Sequence, residues 1–276
     1  MPALYVVATP VGNLEDITLR ALRTLREVKL IAAEDTRKTR RLLNTYDIKT
    51  PSTSYHEHNK LAKMAYILSV LESADVALVS DAGTPGLSDP GYELIRAAAG
   101  RGVPVIAVPG PAVVVIALTV SGLPLDKVVF IGFLPNRGAA RRKMLAELAR
   151  ETGTIAMFEA PHRLQAALAD ILATLGDREI AVCRELTKVH EEVFRSTVSG
   201  AIARFTEPRG EFTLVVAGYR PEARPSMTGE TEARLQAMSR EGVTAREAVA
   251  RLAGETGVSK KELYRAWLRS GKARKQ

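Results

Sequence analysis

Four short apolar runs, Leu4–Ala8, Leu30–Ala33, Val76–Val79 and Val103–Val108, recur through the early part of the chain and constrain its fold more than any other feature. Between them lie segments such as Ile17–Val28 and Lys60–Glu72, whose apolar residues have helical spacing. Runs of strand length with no polar alternation are buried on both faces, and helix-sized connections let successive strands run parallel. The pattern predicts an α/β fold with a mainly parallel sheet covered by helices on both sides.

Each run empties into a polar or glycine-rich loop. Thr9-Pro10-Val11-Gly12-Asn13-Leu14 follows the first, Glu34-Asp35-Thr36-Arg37 the second, the long stretch Ser80–Gly91 the third and Val108-Pro109-Gly110-Pro111 the fourth. In an open parallel sheet these loops share the carboxyl edge, where ligands bind. Turn chemistry accounts for any one of them taken singly, but four on one edge point to a site for something polar and nucleotide-like. Neither a Walker lysine nor a GxGxxG pattern is present, so the glycines do not form a standard phosphate or dinucleotide cradle.

Ser121–Asp126 breaks the alternation and predicts a boundary between an N-terminal domain, 1–121, and a second α/β domain, 122–219. In the second, Val128–Phe133, Thr154–Phe158, Glu179–Cys183, Val193–Val198 and Phe212–Ala217 read as strands, with helices at Gly138–Glu151 and His162–Leu175. Thr187–Ser199 is too short for helical crossovers throughout, so this sheet is of mixed direction. Two such domains imply a cleft between them. Residues 220–229 have a linker composition, and 230–276 form a basic extension. There, Thr244-Ala245-Arg246-Glu247 and Ser259-Lys260-Lys261-Glu262 are capping boxes on either side of a Gly254–Val258 turn. Two capped helices so joined match a helix-turn-helix, or equally a small accessory bundle with solvated charges.

With 46% hydrophobic residues in 276, the chain can bury a sizeable core. No run approaches membrane-spanning length and no basic segment precedes a signal-like core, so a soluble, cytoplasmic protein without membrane partners is expected. The single cysteine, Cys183, sits in an apolar run and reads as a small buried residue. A net charge of +8 favours a polyanionic partner, and the last 56 residues carry twelve lysines and arginines against seven glutamates. Ionisable groups also crowd Phe158–Arg163 and Glu185–Glu192. His162 is either a general base or a cap for the helix it starts. No metal-ligand spacing and no G-x-S-x-G nucleophile elbow occurs.

The segments TPVGNLEDITLRAL, EDTRKTRRLL, SDAGTPGLSDPG, VPGPA, FLPNRG, FEAPHRL, ELTKVHEEV and GEFTLVV, in this order and spacing, resemble the tetrapyrrole methylase superfamily. Within it they are most similar to the bacterial 2′-O-ribose methyltransferases that modify a cytidine of small-subunit (16S) ribosomal RNA. The resemblance runs from about Leu4 to Gly218, and the tail is similar to a helix-turn-helix extension found in some members. It implies S-adenosyl-L-methionine in the interdomain cleft, a homodimer, and ribosomal RNA, as part of the 30S subunit, as partner. By the same comparison Pro10, Gly12, Ser80, Asp81, Ala82, Gly83, Thr84, Pro85, Pro109, Gly110 and Ala112 line the cofactor from one domain, and Phe158, Glu159, Phe212 and Thr213 from the other. Thr84 stands where the wider superfamily has an acid, and Ala112 and Ala160 where relatives often have serine.

In-line attack of a ribose 2′-oxygen on a sulfonium methyl requires mainly that two reactants be held aligned, with help in removing the hydroxyl proton. Asp35, Glu159 and His162 are the candidate proton acceptors, and Arg37, Arg163 and Lys188 the cations for a developing alkoxide. Arg37, Lys38, Arg40, Arg41, Arg137, Arg141, Arg142, Lys143, Lys260 and Lys261 are the candidate RNA contacts; the other reading of Arg40, Arg41, Arg141 and Arg142 is that they form exposed helix faces. Two other functions fit the same residues: methylation of a small molecule or protein side chain, and a non-catalytic RNA-binding assembly factor.

Overall fold

Residues 1–87, 90–220 and 226–272 are described by the computed structural model; Ser88 and Asp89 of the long loop, linker residues 221–225 and the end of the tail lie outside the described residues. The first sheet has five parallel strands, β1 (Leu4–Val7), β2 (Leu30–Ala33), β3 (Ser52–Ser54), β4 (Val76–Val79) and β5 (Val105–Val108), in the order β3-β2-β4-β1-β5. Helices α1 (Leu19–Glu27), α2 (Thr36–Thr45), α3 (Lys60–Val70), α4 (Tyr92–Gly100) and α5 (Val113–Ser121) connect or follow them. All residues of β2 and β4 are buried, and the two-residue period of a strand divides them between two cores. Ile31 and Ala33 pack with Leu22, Leu25 and Leu43 on one face; Leu30 and Ala32 pack with Ile67, Leu71 and Leu94 on the other. Each fully buried leucine or isoleucine there contributes roughly 1.5–3 kcal/mol of transfer free energy.

β3 carries no sequence signal, since Ser-Thr-Ser is neither apolar nor alternating; it forms because the exposed side of β2 offers it a parallel edge. Helix α2 bears out the helix-face reading of Arg40 and Arg41, and its start has a local cause: Asp35 caps it, accepting from the Arg37 N–H.

The second sheet comprises β6 (Val128–Phe133), β7 (Thr154–Glu159), β8 (Glu179–Arg184), β9 (Glu192–Thr197) and β10 (Phe212–Val216), in the order β6-β7-β10-β8-β9. β6 and β7 are parallel; β10 is antiparallel to both β7 and β8, and β9 to β8, which makes the mixed sheet. Helices α6 (Gly138–Glu147), α7 (Leu164–Leu175) and α8 (Val198–Arg204) cover one face through Leu145, Leu168, Ile171, Ala201 and Phe205. Its other face receives α5, whose Ala117 is buried among Ala181, Cys183, Leu186 and Val215. Thus α5 follows a strand of the first sheet yet buries against the second, and both sheets belong to one compact unit, Met1–Tyr219.

Arg220–Gln276 forms a separate unit. Its described residues contain three helices, one more than the capping boxes predict: α9 (Gly229–Arg240), α10 (Ala245–Thr256) and α11 (Lys260–Lys272). Thr244 and Ser259 accept from the N–H groups of Glu247 and Glu262, and Gly257 takes the left-handed conformation (φ +71°) that ends α10. Leu235, Val249, Leu252, Val258 and Leu263 form its own core. Helix α9 escaped notice because its described buried residues are just Thr231 and Leu235, too few to give a periodic stripe.

Candidate active site

The loops after β1 and β4 are tied together by a reciprocal pair of bonds, Thr9 N–H to the Gly83 carbonyl and Gly83 N–H to the Thr9 carbonyl, both 2.9 Å. The Thr9 hydroxyl adds a third, donating to the Ser80 carbonyl at 3.2 Å. Gly83 sits at φ +77°, where a side chain would be strained. The joined loops form a partition. Val11, Ala82, Gly83 and Thr84 face a cavity on one side; Pro10, Gly12, Ser80 and Asp81 face a second cavity on the other.

The first cavity, about 300 Å³, lies between the two sheets. Ala112 and Val113, at the start of α5, close it from the first layer, and Phe158, Glu159, Phe212 and Thr213 from the second. Phe158 meets Phe130 and Phe133 edge-on, with ring centroids 5.0 and 5.4 Å away. Of the residues expected around a cofactor, Ala82, Gly83, Thr84, Ala112, Phe158, Glu159, Phe212 and Thr213 therefore meet in one cavity. Pro85, Pro109 and Gly110 line neither: the Pro109 carbonyl accepts from the Thr18 hydroxyl, and Gly110 packs on Ala8. Val11, Val114, Cys183, Leu186 and Glu211 line the first cavity without having been singled out for it. Alternation along the extended stretch after β1 is the signal that could have found Val11. Burial pushes the Cys183 thiol up to about 11, so it is protonated and unreactive at neutral pH.

The second cavity, about 390 Å³, is less apolar than the first and opens over the carboxyl ends of β1, β2 and β4. Lys38, Thr39, Arg41 and Thr45 of α2 form one wall, and the Thr9–Leu14 and Ser80-Asp81 segments the other. Asp81 organises it. Its carboxylate accepts from the Asp35 N–H (3.0 Å) and from Lys38 Nζ (2.7 Å), while its own N–H donates to Glu34 Oε2. The hydrogen bond to the Asp81 carboxylate raises the Lys38 ammonium above its ordinary pKa, so Lys38 is cationic.

The expected proton acceptors differ sharply. The Arg37 side chain, and then its N–H, hold Asp35 down at about 2, which makes it a capping anion and a feeble base. Glu159 is buried at 2% exposure, and burial pushes its carboxyl up against the opposing pull of the Ala160 N–H and of Arg163. Arg163 Nε lies 3.0 Å from Glu159 Oε1, and the same guanidinium also bonds Asn136 and the Leu134 carbonyl, so Arg163 is a structural brace. His162 is exposed in a short 3-10 turn and makes no capping bond, which corrects the helix-cap reading. Lys188 is held between Glu185 (3.0 Å) and Glu211 (2.7 Å).

Among the expected RNA contacts, Arg37, Lys38, Arg40 and Arg41 are exposed on α2. Arg137, Arg142, Lys143, Lys260 and Lys261 are exposed as well. Arg141 is a correction. Only 7% exposed, its guanidinium is locked on Asp170 of α7 at 2.6–2.7 Å, where it holds α6 to α7 and meets no solvent-borne partner. Among the described residues no three His, Cys, Asp or Glu side chains are grouped so as to hold a metal, and no helix is long and apolar enough to cross a membrane.

The family model for tetrapyrrole (corrin/porphyrin) methylases matches residues 3–202. The Ribosomal RNA small subunit methyltransferase I of Synechocystis sp. is 48% identical over 96% of both chains. That of Thermotoga maritima is 51% identical over 99% of its own length but 79% of this chain. Among solved structures, the uroporphyrin-III C-methyltransferase of Thermus thermophilus complexed with S-adenyl homocysteine is similar with a TM-score of 0.57, 18% identity, and 78% of this chain and 97% of that one covered, a likeness of fold.

Proposed function

The chain belongs to the tetrapyrrole methylase family, and from that premise we propose that it transfers the methyl group of S-adenosyl-L-methionine to the ribose 2′-oxygen of a cytidine in small-subunit ribosomal RNA. The observation that carries the reading is the pair of cavities sharing the Thr9–Gly83 partition. The first fits the cofactor. Its volume is in the range of small-molecule sites, its lining is mostly apolar, and a few polar groups converge on it. Val11, Val113 and Leu186 offer surface to an adenine, and the carboxylates of Glu159 and Glu211 with the ring of Phe158 suit a cationic sulfonium and ammonium. When bound, S-adenosyl-L-methionine supplies a methyl group on a positively charged sulfur, so the chain needs no covalent partner for it.

The second cavity takes the acceptor nucleotide. Arg41 faces a backbone phosphate, and Asp81 accepts the hydrogen of the 2′-hydroxyl. Lys38, already on Asp81, steadies the negative charge that develops on the oxygen. We infer that transfer takes place at the edge of the partition, near Asp81 and Ala82, which line the second and the first cavity respectively. The exposed cations of α2 extend the contact along the RNA.

The bacterial cytoplasm, where ribosomes assemble, is the compartment in which this acceptor occurs. A second copy of the chain is the further partner we infer: Val105 and Val128 on the edge strands β5 and β6, with Val115 on α5, are 37%, 37% and 55% exposed. Sedimentation of the intact chain beside a Val115→Glu variant tests this; a wild type that sediments as a monomer removes the dimer.

Labelled S-adenosyl-L-methionine incubated with small subunits lacking the modification should mark a cytidine ribose, mapped by nuclease digestion and mass spectrometry, and Asp81→Asn should abolish the label while leaving cofactor binding intact. Label in a protein or small metabolite would move the acceptor class. No label and no cofactor binding would leave an RNA-binding factor.

A further inference from the structure

The segment between β8 and β9 enters the reading above only through Leu186, and its backbone is held in an unusual shape. Glu185 and Thr187 both have positive φ, +50° and +67°. For a β-branched threonine this is a true outlier, costing of the order of 1–3 kcal/mol and persisting where the surroundings impose it. The surroundings do so here. The Glu185 carboxylate accepts from the Glu211 N–H and from Lys188 Nζ, Glu191 accepts from the Thr187 N–H at 2.6 Å, and the Glu191 N–H donates to the Lys188 carbonyl. Thr187 Oγ1 is buried with no hydrogen-bond partner. Strain and an orphaned hydroxyl are accepted in order to hold the loop against Gly12: a Cβ on Gly12 would come within 2.5 Å of Lys188 Cγ and 2.6 Å of Thr187 Oγ1. Gly12 lines the acceptor cavity and Leu186 the cofactor cavity, so the loop straddles both.

At the tip of this braced loop stands Val189, one residue beyond Lys188 and 96% exposed, with His190 and Glu191 exposed after it. A single exposed valine needs no explanation on an ordinary surface. On a loop held in a strained shape against Gly12, which lines the second cavity, it does. We propose that Val189 is the wedge that enters the RNA base stack when the acceptor nucleotide is drawn into the second cavity, filling the gap and keeping the target ribose turned toward Asp81. Enzymes that act on a buried nucleotide must unstack it, at a cost of a few kcal/mol, and apolar side chains inserted between bases are the usual means of holding the opened step. Of the carboxylates around the tip, Glu185 and Glu211 share Lys188, Glu192 is paired with Arg184 and Arg204, and Glu191 is turned back to accept from the Thr187 N–H. The inference rests on the RNA-methylation reading.

The test compares the intact wild-type chain with Val189→Ser, Val189→Lys and Val189→Ile. Initial rates are measured on unmodified small subunits, and fluorescence on an rRNA fragment carrying 2-aminopurine beside the mapped cytidine, without cofactor. Serine and lysine should each lower kcat/KM by roughly tenfold or more and suppress the fluorescence rise, with cofactor affinity and thermal melting unchanged, while isoleucine retains both signals. A lysine variant as active as the wild type would show that the tip merely attracts phosphate and would overturn the wedge; so would a serine variant that keeps its rate. A wild type that labels no RNA defeats the methylation reading itself, and the wedge with it.

Discussion

Gly12 illustrates how a single position is decided by space rather than by backbone conformation. Its φ is not positive, but Lys188 Cγ, Thr187 Oγ1 and the Leu186 carbonyl occupy the place of a Cβ, the carbonyl at 3.0 Å. The Leu186 carbonyl is backbone and cannot swing aside. Gly12→Ala should therefore displace the β8–β9 loop, lowering kcat/KM on small subunits by about tenfold to a hundredfold; an unchanged rate would mean that the loop has no bearing on the site. Asp35 gives a second residue-scale prediction. Its folded pKa of about 2 lies below the ordinary 3.8, so the native state binds this proton less readily than the unfolded chain. The stability it carries is complete above the ordinary value and is lost as pH falls through about 2. Its carboxyl carbon, followed by NMR, should titrate near 2, and a midpoint near 4 would refute the Arg37 clamp. At this scale the sequence was informative about kinds of residue and silent about directions: Asp35 and Asp81 both follow strands, yet one caps a helix and the other faces the second cavity.

Among the elements, α2 and α6 look alike in sequence, since each carries a run of cations. In α2 the run stays in solvent around Thr39, Leu42 and Leu43, the buried positions. In α6 the chain turns Arg141 inward to Asp170, leaving Arg142 57% exposed beside the same carboxylate at 3.4 Å. Arg141→Ala should thus destabilise the fold by about 2 kcal/mol in urea denaturation, because the half-buried carboxylate of Asp170 loses its main partner and the buried arginine its packing. Arg40→Glu with Arg41→Glu should instead leave stability nearly unchanged and weaken RNA binding, with a shallower dependence of affinity on salt. If both variants lost stability equally, the assignment of these helices would be wrong. Periodicity could not separate the two cases, because a buried arginine and a solvated one have the same spelling.

For the whole molecule, the relevant fact is that the first and second units have separate cores. The Thermotoga maritima relative is matched nearly end to end by a share of this chain equal to that of the first unit. A chain ending at Tyr219 should fold, bind S-adenosyl-L-methionine with unchanged affinity and lose affinity for small subunits, as read by calorimetry and by filter binding at several salt concentrations. Loss of cofactor binding would show that the first unit is not self-sufficient. The sequence by itself determined the parallel sheet, the mixed sheet and the tail helices α10 and α11, because strand burial, short connections and capping boxes act over a few residues and leave a local trace. The tertiary structure alone decided that α5 would bury against the second sheet, that Arg141 would turn inward, that β3 would form, and that the loops after β1 and β4 would lock into one partition with a cavity on either side. Each of these depends on groups far apart in the chain whose contacts are set by packing, and packing leaves no period in the sequence.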